Sequence, residues 1–133
     1  MALVLDNSVL VAWFVPDQAD DYTRRIAHRA RREDLIVPAL WEVEFANVMA
    51  VLLRRRALPR HQVAVILTQA IRLDLQTDRN PVSPRTLFAI TERHGISAYD
   101  AAYLELAERR GVPLATRDAS LAGAARAAGI PLA

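Results

Sequence analysis

Five short apolar runs recur along the chain, separated by longer stretches of helical or polar character. They lie near residues 2–5, 35–37, 73–76, 113–116 and 130–132 and read as strands. Strands alternating with helices predict βαβ units and a mostly parallel, roughly five-stranded sheet in an α/β fold. The first, second and fourth runs are continuous, as suits strands buried on both faces. The third, Leu73-Asp74-Leu75-Gln76, alternates and reads as an edge strand, and Ile130-Pro131 places the fifth at an edge as well. The intervening helices are predicted at 18–32, 38–56, 59–72, 84–94, 97–111 and 118–129. Pro38, Pro59 and Pro84 stand near three of the starts, and Gly95, Gly111 and Gly129 near three of the ends.

Residues 18–32 are polar and Arg-rich, the pattern of a solvated surface helix, whereas 38–56 is apolar nearly all round. Trp41, Val43, Phe45, Ala46, Val48, Met49, Val51, Leu52 and Leu53 spread over every face, which predicts burial on most of them. In a domain this small, one such face is expected to pack on a second subunit. The prediction is a homodimer, with Val63, Ile66, Leu67 and Ala70 of the next helix sharing the interface.

At 133 residues the chain makes one domain, 1–133, long enough to bury a core, with no internal repeat or linker. Apolar residues make up 53% of it, yet no uninterrupted run approaches a membrane span. The N-terminus reaches Asp6 after four apolar residues with no basic region, so no signal peptide is expected and the location predicted is cytoplasmic. The absence of cysteine excludes disulfides, thiolate zinc sites and a cysteine nucleophile. All 17 basic residues are arginine. That removes Schiff-base chemistry and the lysine of P-loops, receiver domains and haloacid-dehalogenase-type phosphatases. Arginine's planar fork suits phosphate, although codon bias in a GC-rich genome would account for most of the preference. His28, His61 and His94 show no metal-ligand spacing, four glycines form no phosphate cradle, and Arg54-Arg55-Arg56 suits a helix C-terminus.

The candidate chemistry lies in carboxylates placed where apolar runs end or helices begin: Asp6, Glu44, Asp100 and Asp118. The carboxyl ends of parallel strands share one edge, so these scattered acids can converge there. Converging carboxylates repel unless a cation compensates, and oxygen ligands suit a hard one such as Mg²⁺ or Mn²⁺. Each acid also has a structural reading. Asp6 could cap a following helix, but Ser8 could do so instead; Asp118 is a good N-cap for the last helix. Ser97-Ala98-Tyr99-Asp100 has capping-box spacing, which on spacing alone favours a capping role for Asp100. Glu42 and Glu44 face some 200° apart on a helix, so only one can join the site, and periodicity does not choose between them. Ser8 and Thr116 are hydroxyl neighbours of the acids in sequence.

Taken together, LVLDNSVLVAWF, VPALWEVEFANVM and GISAYDAAYLELAERRGVPLATRDASLAGAARAAGI resemble the PIN-domain ribonucleases, and among them the VapC toxins of toxin–antitoxin pairs. The resemblance implies a three-layer α/β/α fold and matches Asp6, Asp100 and Asp118 to the family's acids. Through P-A-L-x-x-x-E-x-x-N it puts Glu44 and Asn47 in register, selecting Glu44 over Glu42, and it sets a site role for Asp100 above the capping box. Asn7 departs from the small residue usual after the first acid. The implied activity is metal-assisted hydrolysis of RNA, with Mg²⁺ or Mn²⁺ held by Asp6, Asp100 and Asp118. Glu44 would complete the metal shell or orient water, and Arg117 would hold the RNA backbone. The implied partner is a small VapB-like antitoxin whose C-terminal segment blocks the acids. Two rivals remain at this level: an inactive PIN module that only binds RNA or protein, and a phosphatase. Ser8 stands where a haloacid-dehalogenase-type phosphatase would carry a second aspartate.

Overall fold

The computed structural model describes residues 1–133. Its sheet has four parallel strands in the order β3-β2-β1-β4: β1 Ala2–Leu5, β2 Asp34–Pro38, β3 Leu75–Asp78 and β4 Leu114–Ala115. Around it lie α1 Asn7–Phe14, α2 Asp21–Arg29, α3 Trp41–Arg54, α4 Arg60–Ile71, α5 Pro84–His94, α6 Ala98–Arg110 and α7 Ala119–Ala127. Successive strand residues point to opposite faces, and the core divides accordingly. Leu3, Leu5, Leu35 and Val37 pack with α1 and the inner stripes of α3 and α4. Val4, Ile36 and Leu114 pack on the other face with α6 and α7. The result is the α/β/α sandwich expected. No helix is long and apolar enough to cross a membrane.

Several boundaries differ from the sequence reading, each for a local reason. The fifth strand shrinks to a single bridge, Leu114 to Leu132, because Pro131 has no amide hydrogen to lend a ladder. The third strand starts two residues late: the Leu73 amide is already spent on the Ala70 carbonyl at the end of α4. Pro38 ends β2, opposite Asp78, and the following helix begins only at Trp41. The surface helix predicted at 18–32 contracts to 21–29, where Asp20 and Thr23 cap each other reciprocally. Helix α1 was not predicted at all; it buries Val9, Leu10, Val11 and Ala12, and so lacks an amphipathic signature. Finally, α3 is not buried on most faces within one chain, since only Phe45 and Met49 are, and Val63, Ile66 and Ala70 of α4, expected at a subunit interface, are instead buried in this chain's own core against them.

The strand order places the site. The chain runs outward from β1 to β2 to β3, then returns to the other side of β1 as β4. The topological switch therefore falls between β1 and β4, where α/β sheets open a crevice at the carboxyl edge. Asp6 follows β1 at that edge, and Thr116 and Asp118 follow β4.

Candidate active site

Asp6 has extended backbone at the N-cap of α1, but its carboxyl makes no capping bond. Oδ2 instead accepts from Ser8 Oγ at 2.6 Å and from Thr116 Oγ1 at 2.8 Å. Ser8 does not cap the helix either: its hydroxyl, besides donating to Asp6, accepts from the Arg117 amide at 3.0 Å. The two hydroxyls pull the Asp6 pKa down, but burial of a residue only 5% exposed outweighs them and raises it.

Asp118 caps α7 through Oδ1, which accepts from the Leu121 amide at 3.0 Å, while its own amide donates to Thr116 Oγ1. One carboxyl oxygen thus serves the helix and the other is left free. For Asp100 the capping box is only half made. Ser97 Oγ accepts from the Asp100 amide at 3.1 Å, with no return bond from the Ser97 amide to the Asp100 carboxyl. Burial, followed by the charges of Asp118 and Asp6, pushes the Asp100 pKa up to about 6.

The two glutamates of α3 separate as their spacing requires. Glu42 is exposed and pairs with Arg79 at 2.8 Å. Glu44 turns to the cleft, where Oε1 accepts from the Tyr103 hydroxyl at 2.6 Å. Its pKa is raised chiefly by burial, with Asp6 and Asp100 adding repulsion. Asn47, in register with it by sequence pattern, is exposed.

All four acids line one cleft of about 280 Å³, together with Asn7, Ser8 and Gln18. Larger grooves exist, such as one of about 650 Å³ beside α2 that is lined by Arg24, Arg25 and Arg29, but none gathers these acids. The cleft offers oxygen donors only, the chemistry of a hard divalent cation. Asn7 Oδ1 is buried without a donor, an orphan acceptor beside the acids. No three acidic or imidazole side chains stand close enough to hold one ion directly. That spacing suits Mg²⁺, which keeps several waters and takes one or two carboxylates. Arg117 lies at the rim, but its guanidinium pairs with Asp20 at 3.2 Å instead of standing free.

Sequence reasoning missed two tyrosines. Tyr22 accepts the Thr116 amide at 3.2 Å and so ties α2 to the loop after β4. Tyr103 lies three residues beyond Asp100 and therefore on the same helical face, the one local signal that could have found it.

A family model for the PIN domain matches residues 3–127. The chain is 31% identical over 124 residues to Ribonuclease VapC3 of Pyrobaculum aerophilum, covering 92% of this chain and 93% of that one. It is 32% identical over 120 residues to Ribonuclease VapC12 of Mycobacterium tuberculosis, covering 90% and 89%. Two solved structures share the fold. PAE2754 of Pyrobaculum aerophilum aligns with a TM-score of 0.72 at 22% identity, over 93% of this chain and 79% of that one. VapBC2 of Rickettsia felis, bound to a DNA fragment from its promoter, gives 0.66 at 15% identity, over 100% and 98%.

Proposed function

The chain belongs to the PIN-domain family, on its VapC-type branch, and we propose that it is a metal-dependent endoribonuclease acting as the toxin of a toxin–antitoxin pair. The observation that carries this reading is the convergence of Asp6, Glu44, Asp100 and Asp118 on one cleft from four separate segments. Relatives named as ribonucleases at 31–32% identity support the choice of RNA as substrate.

Asp6, Asp100 and Asp118 would hold hydrated Mg²⁺ or Mn²⁺, one or two of them directly and the rest through its waters, with Asn7 Oδ1 available as a neutral oxygen. Bound there, the ion would lower the pKa of water and offset charge on the scissile phosphate. The chain's own part is positional. Ser8 and Thr116 fix Asp6, the cap on α7 fixes Asp118, and Glu44 accepts a hydrogen bond from the attacking water. In the hydrolysis the water oxygen bonds to phosphorus and a phosphorus–ribose oxygen bond breaks. The proton lost by water balances the one gained by the leaving oxygen.

The partner proposed is a small VapB-like antitoxin, a reading supported by the relatives named VapC and by the likeness in fold to VapBC2. An acidic cleft of this kind suits an arginine-bearing segment as its plug. A homodimer through α3 and α4 completes the assembly.

The test is cleavage of total cellular RNA by the purified protein with Mg²⁺, Mn²⁺ or EDTA, beside Asp6→Ala and Asp100→Ala. Discrete metal-dependent fragments, absent in both variants, are expected. Equal cleavage by variants and wild type would sink the site. No cleavage by a folded wild type under any metal would leave a binding module in its place.

A further inference from the structure

Tyr103 carries no charge and belongs to no acidic motif, yet it joins the two helical layers across the cleft. Its ring is completely buried in the core formed by α6 and α7 behind the sheet. Its hydroxyl reaches past the sheet edge to Glu44 Oε1 at 2.6 Å, on a helix whose buried residues pack against the opposite face. This is the only side-chain hydrogen bond that the Glu44 carboxyl makes. A free glutamate turns about three side-chain torsions, and ordering it costs rotamer entropy. A tyrosine locked in the core is already ordered, so its hydroxyl is a fixed donor.

We propose that Tyr103 is a positioning residue that holds Glu44 by Oε1 and leaves Oε2 as the single oxygen presented to the attacking water. This rests on the nuclease reading above and narrows it. With Oε1 held by the tyrosine, Oε2 is the oxygen without a protein partner, and the task assigned to Glu44 is the orientation of water. The same helix then supplies both Asp100 and the group that aligns Glu44, which couples α3 to α6 at the reacting centre.

The test compares Tyr103→Phe, Glu44→Gln and the double variant on an RNA that the wild type cleaves, at saturating Mg²⁺ and well below each melting temperature. Removing the partner of a site group commonly costs roughly 10–100-fold in activity. Tyr103→Phe is expected to lose that much kcat with KM held. Adding it to Glu44→Gln should cost nothing further, because the tyrosine acts only through the acid. The rise in melting temperature caused by Mn²⁺ should survive in Tyr103→Phe, since the three aspartates are untouched. Glu44→Asp, which keeps the charge but falls short of the hydroxyl without disturbing the core, should lose kcat to a similar extent. Full kcat in Tyr103→Phe or in Glu44→Asp, or an additive loss in the double variant, would overturn the proposal while wild-type cleavage left the nuclease reading standing. A folded wild type that cleaves no RNA with any metal would remove both.

Discussion

Thr116 Oγ1 donates to Asp6 Oδ2 at 2.8 Å across 110 residues of sequence, and the same oxygen accepts the Asp118 amide at 3.0 Å. One hydroxyl thereby locks the acid after β1 to the turn that carries the acid after β4. Hydrogen bonds to a charged group are worth about 1.5–3 kcal/mol. Thr116→Val, which keeps the shape and removes the hydroxyl, should lose stability of that order in urea denaturation. It should also raise the Asp6 pKa further, because Thr116 is one of the groups holding it down. A variant as stable as the wild type would show that the bond does not hold the turn.

The raised acids make the metal-free protein sensitive to pH in a defined sense. Asp100 titrates at about 6 in the fold, against an ordinary 3.8. Between those values the folded state holds the proton more tightly, so stability falls as pH rises and the penalty is complete above about pH 6. Asp6 and Glu44 are shifted in the same direction. Asp100→Asn should therefore stabilise the metal-free protein at pH 7 and hardly at pH 4. Mg²⁺ should raise the wild-type melting temperature more at pH 7.5 than at pH 5. Melting curves in EDTA and in Mg²⁺ across this range check both. A variant that gained nothing at neutral pH would refute the repulsion.

How much of this was legible beforehand depended on the range of the interaction. Continuous apolar runs and nearby stop signals marked β1, β2, α6 and α7, since Ser97, Gly111 and Asp118 act on their own neighbours. Helix α1 escaped because its apolar residues surround it, and β3 slipped because Leu73 belongs to the turn closing α4. The same divide runs through the cleft. Asp6 and Asp118 follow strands and were visible, but the choice between Glu42 and Glu44 rests on Arg79 and Tyr103, far away in the chain. Local periodicity holds no record of those partners. The capping box misled for a related reason: its spacing is present, but the Asp100 carboxyl does not return the bond.

Those distant partners make Glu42 and Glu44 a controlled pair. Glu42 is an exposed ion-pair member, and such pairs contribute about 0–1 kcal/mol. Glu42→Gln should cleave RNA at a rate close to that of the wild type and melt close to it. Glu44→Gln should lose roughly 10²–10⁴-fold in rate, the range associated with proton-handling groups, while its fold stays intact. Comparable losses in both would mean that the helix, and not the acid facing the cleft, is what matters.

The remaining prediction concerns what covers the outer faces of α3 and α4. Val43 is 69% exposed, Val65 53% and Ile71 75%. Between the helices runs a groove of about 380 Å³ lined by Trp41, Phe45, Ala46, Leu67 and Ile71. The apolar residues of α3 that find no place in the chain's own core are accounted for if a second copy covers them. A standard interface buries about 800 Å² on each partner. Ile71→Asp puts a charge where the monomer is already open to water, so the fold should tolerate it while association does not. Light scattering should give twice the 14.8 kDa chain mass for the wild type and the single mass for the variant. A wild type that stays monomeric at every concentration would refute the dimer, and α3 would then be an apolar helix left open to water.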